Sequence, residues 1–185
     1  LKFSDFCYWK APLMELEGKT LGIYGYGSIG RRVAQIAKAF GMKVIVCTRT
    51  PKPDIENPVD FSTLLNEADF ITLHAPLTDN TREVINRTTL PLMKKSAYLI
   101  NTARGLLVNE KDLAEALNNG TIAGYAADVV SEEPMKDGNP LLTAKNSIIT
   151  PHIAWAAVET RQRLLDVVAR NLECWISGNP QNVVS

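Results

Sequence analysis

The sequence has little of what most catalytic chemistry uses, and it has no long apolar run. Only two histidines occur, His74 and His152, and three cysteines, Cys7, Cys47 and Cys174. The cysteines are odd in number and far apart, with no CxxC pair. They read as free thiols in a reducing compartment, so the expected location is cytoplasmic. No metal site is expected. No apolar run reaches the length of a membrane span. The opening LKFSDFCYWK lacks the long apolar core of a signal peptide. It starts on Leu instead of an initiator Met, as an internal piece of a longer chain would. There is no net charge either: 20 basic residues balance 20 acidic ones. That removes the bulk electrostatic case for nucleic acid or a membrane surface as partner. No internal repeat and no low-complexity segment is found. An apolar content of 45% over 185 residues is enough for one domain with a real core.

What is present alternates. Thr20–Tyr24, Lys43–Cys47, Phe70–Leu73, Ala97–Ile100, Ile122–Ala127 and Ser147–Thr150 read as strands. Ser28–Phe40, Asp60–Glu67, Thr88–Lys94, Glu110–Asn119 and Val158–Trp175 read as helices. Pro51, Pro53 and Pro58 mark a loop between the second strand and the helix that follows. Strands alternating with helices predict an α/β fold, a parallel sheet covered on both faces.

TLGIYGYGSIG joins the first strand to the first helix and carries Gly25, Gly27 and Gly30 as GxGxxG. Gly25 turns tightly, Gly27 lets backbone approach a pyrophosphate, and Gly30 lets helix pack on strand. Amides at the helix N-terminus then face the phosphates. The plain alternative is a glycine turn, and the correct context on both sides argues against it. An NAD site usually places an acid roughly 20 residues beyond the glycines. Here the strand ends Cys47-Thr48-Arg49. A carboxylate would repel a 2′-phosphate, whereas a hydroxyl followed by a guanidinium could accept one. The plain reading makes Arg49 a solvated loop residue or a stack on adenine. NAD and NADP both stay open.

The other ionisable groups follow strands. Arg104 lies in NTARG after the fourth, Asp128 and Glu133 in ADVVSEEP after the fifth, and His152 in TPHIAWA after the sixth. Ligands of open α/β sheets bind beyond the carboxyl ends of the strands. Singly, each residue reads as a loop salt bridge, a turn cap or an exposed histidine. Jointly they predict convergence where a nicotinamide would lie.

GKTLGIYGYGSIGRRVAQIAKAFGM, LHAPLTDNTREVIN, LMKKSAYLINTARGLLVNEKDLAEALNNGTIAGYAADVVSEEP and ITPHIAWA resemble the cofactor domain of D-isomer-specific 2-hydroxyacid dehydrogenases. The resemblance runs from about Phe6 to Val184. HIAWA and the closing GNPQNVV look most like the glycerate dehydrogenase, or hydroxypyruvate reductase, branch. It implies a Rossmann-type doubly wound parallel sheet flanked by helices, in the order 3-2-1-4-5-6. It implies an oxidoreductase that moves hydride between NAD or NADP and a small D-2-hydroxy or 2-keto acid. It divides the chain into an arm (1–19), a dinucleotide-binding domain (20–175) and a stub (176–185) toward a substrate-binding domain that is absent. Turnover by this piece alone is expected to be low.

The resemblance also assigns roles. His152 would be the acid–base, with Glu133 on its other ring nitrogen fixing the tautomer. Arg104 would clamp the substrate carboxylate, and Asp128 would orient the nicotinamide carboxamide. Ser28 and Ile29 would offer amides to the pyrophosphate. His74, Ala75, Pro76, Thr102, Ala103 and Ala154 would line the nucleotide cleft, with packing at a strand end an equal reading of His74. A nucleotide-sensing corepressor of the same fold is the rival from another class. Phosphoglycerate and D-lactate dehydrogenases are the near rivals among enzymes. The apolar arm, with Phe3, Phe6, Tyr8, Trp9, Leu13, Met14 and Leu16, predicts a homodimer.

Overall fold

Residues 13–50 and 53–184 are described by the structure, a computed structural model. The chain divides into two compact units, Leu1–Ile149 and Thr150–Ser185.

The first unit is built on six strands: β1 (Thr20–Tyr24), β2 (Lys43–Cys47), β3 (Phe70–Leu73), β4 (Tyr98–Asn101), β5 (Gly124–Ala127) and β6 (Ser147–Ile149). All pair in parallel, in the order β2-β1-β3-β4-β5-β6. Three helices join them: α1 (Ser28–Ala39), α2 (Phe61–Glu67) and α3 (Glu110–Asn118). Side chains alternate across the sheet. Leu21, Ile23, Val44 and Val46 pack with Ala34 and Ala37 of α1. Ile45, Ile71 and Leu99 pack with Leu64 and Leu65 of α2 and Leu113 of α3. The sheet is therefore covered on both faces, which is why its strands read as near-continuous apolar runs. Each fully buried Leu or Ile contributes about 1.5–3 kcal/mol. Side-chain caps start two of the helices. Asp60 accepts a hydrogen bond from the Thr63 amide at 2.7 Å, and Asn109 accepts one from the Asp112 amide at 3.0 Å.

The strand order corrects one expectation. The third strand was expected outside the second, but β3 lies beside β1. The outer strand is reduced to a single parallel bridge between Val46 and Pro58. Pro53 and Pro58 fix the backbone and remove ladder donors there, so no regular strand forms. A second correction concerns residues 88–94, expected as a helix. Only Leu90–Leu92 coils, as one 3₁₀ turn around Pro91. The Asn86 side chain takes the Thr88 amide at 2.9 Å and closes a local turn instead.

One register row positions everything that follows. Cys47, Tyr24, Leu73, Asn101, Ala127 and Ile149 are paired in sequence across the sheet. The residues directly after the first five of them are Thr48, Gly25, His74, Thr102 and Asp128. The fingerprint turn and four of the expected site positions thus emerge from one edge at one level.

The second unit carries α4 (Val158–Ile176), a helix with no buried residue. Leu164, Leu165, Val168, Leu172 and Trp175 are all more than half exposed. Among the described residues, no helix is long and apolar enough to cross a membrane. Most of the N-terminal arm lies outside the described residues; Leu13, Met14 and Leu16 are described and exposed.

Candidate functional site

The turn between β1 and α1 is shaped by close contacts. Gly25 has φ +97°, and a Cβ there would sit 2.5 Å from the Ala75 amide nitrogen. A Cβ on Gly30 would sit 2.4 Å from the Gly25 carbonyl oxygen. Gly27 differs, since a Cβ there would meet nothing within 4 Å. It faces open cleft, the place where a ligand backbone could approach. Gly27 also caps α1 with no side-chain hydrogen bond. The first amides of the helix, with their share of positive dipole, are left for an anion.

Two clefts meet over this helix end. One, about 530 Å³, is lined by Gly27, Ser28, Ile29, His74–Leu77 and Thr102–Arg104. The other, about 560 Å³, is lined by Tyr24–Gly27, Cys47–Thr50, Phe61, His74–Pro76, Thr78, Asn80 and Thr81. They share Gly27, His74, Ala75 and Pro76, so one groove runs from the end of β2 to the end of β4. Glycine backbone, an uncapped helix end and an elongated groove fit a dinucleotide.

At the β2 end Thr48 and Arg49 line the groove where an acid was absent from the sequence. Burial, followed by the nearby Asp60 carboxylate, pushes the Cys47 thiol up. It is therefore a poor nucleophile. Tyr24 and Phe61 pack with ring centroids 5.0 Å apart and wall the same end. At the centre the Thr72 hydroxyl lies 2.9 Å from His74 Nε2. Burial pushes the His74 imidazole down, which keeps it neutral near pH 7.

At the β4 end Arg104 lines the groove, and its Nη1 donates to the Ala103 carbonyl at 2.6 Å. The loop is held from beneath. Fully buried Asn101 donates to the Arg104 carbonyl at 2.9 Å and accepts from the Ala103 amide at 3.0 Å. Asp128 is buried after β5, with its amide donating to the Asn101 carbonyl at 3.0 Å. Glu133 accepts from the Val130 amide at 3.1 Å. Glu110, in the first turn of α3, takes the Ser131 amide, the Ser131 hydroxyl and the Asn139 side chain. It pins the loop that carries Glu133.

His152 and Ala154 belong to the second unit. His152 has φ +53°, uncommon for a residue with a Cβ. Its carbonyl accepts from Trp155 Nε1 at 2.8 Å, and its amide donates to the Thr150 carbonyl at 3.0 Å.

The groove gathers Gly25, Gly27, Ser28, Ile29, Thr48, Arg49, His74, Ala75, Pro76, Thr102, Ala103 and Arg104, while Gly30 packs beneath it. Reading the sequence missed Tyr24, Tyr26, Cys47, Thr50, Phe61, Leu77, Thr78, Asn80 and Thr81 on its walls, and Asn101 below it. A local signal existed for Thr81 alone: its hydroxyl takes the Thr78 amide at 2.8 Å and donates to the Pro76 carbonyl at 2.8 Å, as expected of TDNT in a turn.

Residues 7–154 match the family model of the D-isomer specific 2-hydroxyacid dehydrogenase, NAD binding domain. The chain belongs to that family. It is 46% identical, over 98% of its length, to a hydroxypyruvate reductase of Blautia hydrogenotrophica. It is 48% identical, over 99% of its length, to a glycerate dehydrogenase of Methylorubrum extorquens. The chain spans 58% of the length of each of these curated relatives. A crystal structure of D-lactate dehydrogenase with NAD+ from Lactobacillus jensenii superposes with a TM-score of 0.88 at 33% identity, covering 98% of this chain and 60% of that one. The groove at the strand ends is accordingly that of a family NAD binding domain.

Proposed function

We propose that this chain is the cofactor domain of a D-2-hydroxyacid dehydrogenase acting on a small 2-keto acid of the hydroxypyruvate or glyoxylate type. The observation that carries this is the continuity of the groove. It leads from the glycine turn and the open end of α1 to the Arg104 guanidinium, so one groove offers a phosphate cradle and a carboxylate clamp.

Bound NAD or NADP would supply or accept the hydride. The amides of Ser28 and Ile29 hold the pyrophosphate, and Gly27 leaves it room. His74, Ala75, Pro76, Thr102 and Ala103 form the walls. Asp128 orients the carboxamide. Arg104 fixes the keto-acid carboxylate bidentately, which sets the carbonyl carbon in position for attack. His152 gives a proton to the carbonyl oxygen in reduction and removes it in oxidation, work suited to imidazole, whose unperturbed pKa is roughly 6.5. Glu133 completes the catalytic set. The assignments of Asp128, Glu133 and His152 rest on the ordered match of motifs. Thr48 and Arg49, in place of an acid, support acceptance of NADP(H) at least comparably with NAD(H).

A substrate-binding domain outside this chain would form the other wall and exclude water. A homodimer in the cytoplasm completes the reading, supported by the exposed Leu13, Met14 and Leu16 and the free thiols Cys47 and Cys174. Fluorescence titration of the 185-residue chain should show NADH binding, and the longer enzyme should reduce hydroxypyruvate or glyoxylate. Efficient reduction by this chain alone would refute the division into two domains. Light scattering that finds a monomer at micromolar concentration would refute the dimer.

A further inference from the structure

We propose that the Arg31–Asp54 ion pair sets the balance between NADPH and NADH at the ribose end of the groove. The inference rests on the reading of that end as a site able to take a 2′-phosphate. It concerns two residues with no part in the glycine fingerprint or in the strand-end position where specificity is usually sought.

The placement comes first. Arg31 follows Gly30 in the first turns of α1. Its guanidinium carbon lies 5.0 Å from the centroid of the Tyr26 ring. Tyr26 lines the same cleft as Thr48, Arg49 and Thr50. A second cation therefore packs on a side chain of the cleft that Arg49 lines. A guanidinium over a ring still has N–H groups to offer an anion, and Nη1 offers its own here. That anion is now Asp54, which forms an ion pair with Arg31 Nη1.

Asp54 is held where it is. Its loop is tied along β2 by hydrogen bonds from the Asn57 side chain to the Val44 carbonyl at 3.1 Å and from the Val46 amide to the Asn57 carbonyl at 3.0 Å. The Lys38–Glu56 pair, at 2.6 Å, ties the same loop to the far end of α1. The backbone that carries Asp54 is thus tied to β2 and α1, and its carboxylate stands as the counter-charge beside Arg31.

The consequence is a competition. Asp54 and a 2′-phosphate would both seek the Arg31 edge, and they would repel each other. Both side chains of the pair are about two-fifths exposed, 40% and 43%, so the pair itself is weakly held and its partner can be exchanged. With a plain ribose Asp54 keeps Arg31 neutralised. With a phosphate Arg31 becomes its second cationic partner beside Arg49, at a cost set by Asp54. The acid missing from the end of β2 is in effect supplied from the loop, with a cation interposed.

The test is titration of the 185-residue chain with NADPH and with NADH, followed by fluorescence or calorimetry, for the wild type, Asp54→Asn, Arg31→Gln and Arg49→Ala. Asp54→Asn should tighten NADPH about three- to ten-fold and change NADH less than about two-fold, with the gain shrinking as salt is raised. Arg31→Gln should weaken NADPH by a similar factor and leave NADH nearly unchanged. If neither variant moves the NADPH-to-NADH ratio while Arg49→Ala lowers it, the pair plays no part and the phosphate-site reading stands. If the wild type binds NADH alone and Arg49→Ala has no selective effect, the phosphate-site reading fails. The pair then survives only if Asp54→Asn creates NADPH binding. Should Asp54→Asn fail to fold by circular dichroism, Arg31→Gln decides alone.

Discussion

Asn101 holds the backbone of Arg104 from below, through a 2.9 Å hydrogen bond from its side-chain amide to the Arg104 carbonyl. The same side chain accepts from Ala103. A residue with no exposed surface thus sets the height of an exposed guanidinium above the sheet. Asn101→Ala would leave the part-buried Ala103 amide and Arg104 carbonyl without this partner, at about 1 kcal/mol each. The variant should melt lower. In the longer enzyme KM for the keto acid should rise more than kcat falls. An unchanged KM would separate Asn101 from Arg104 function.

Gly30→Ala tests the packing under the turn. The added methyl would press on the Gly25 carbonyl, and overpacking of this kind costs about 1–3 kcal/mol. NADH binding should weaken at least ten-fold, roughly, because the turn that places Gly27 has to shift. A variant that binds NADH as the wild type does would show that the turn tolerates displacement.

Arg49→Ala should weaken NADPH about ten-fold and NADH much less, since a charged hydrogen bond to phosphate is lost only with NADPH. Equal losses for both would mean that Arg49 only stacks.

In the longer enzyme, His152→Ala should cut kcat by about 10²–10⁴-fold with NADH affinity within about two-fold, because the proton is handled only in the chemical step. Loss of NADH binding would instead give His152 a structural role at its left-handed backbone.

Acid should unfold the first unit partly through Asp112. Burial pushes this carboxyl up, but the Arg87 amide and guanidinium outweigh burial and hold it below its ordinary value. Its stabilisation is complete above the unfolded pKa of about 3.9 and is lost as pH falls through the lower folded value. Asp112→Asn should therefore be less stable than the wild type at pH 7, with the gap closing below about pH 4 in urea melts. A gap independent of pH would deny the pair this role.

The sheet was legible because both of its faces are buried. Continuous runs such as VIV and FITL need no register information to be read as strands. The order failed at one point for a local reason. The proline loop could be read as a break, but not as the place where an outer strand was lost. The groove was legible where chemistry is tied to spacing, as in GxGxxG, and where a polar residue comes soon after a strand, as with Arg104. Tyr26 and Phe61 carry no such mark. They become neighbours of Arg49 only when β1, β2 and α2 meet. Asn101 reads as one more strand residue until its side chain is seen to turn up into the loop.

The bridge between Val46 and Pro58 also covers the β2 edge of the sheet. An edge strand with open donors and acceptors invites another chain to add to it. Along β2 three outward groups are already taken: the Val44 carbonyl by the Asn57 side chain, the Val46 amide by the Asn57 carbonyl, and the Val46 carbonyl by the Val59 amide. Pro58, with no N–H, sits in the middle of this cover. The loop that sets Asp54 beside Arg31 thus also guards this edge of the sheet against edge-to-edge polymerisation. Insertions that lengthen it would loosen both at once.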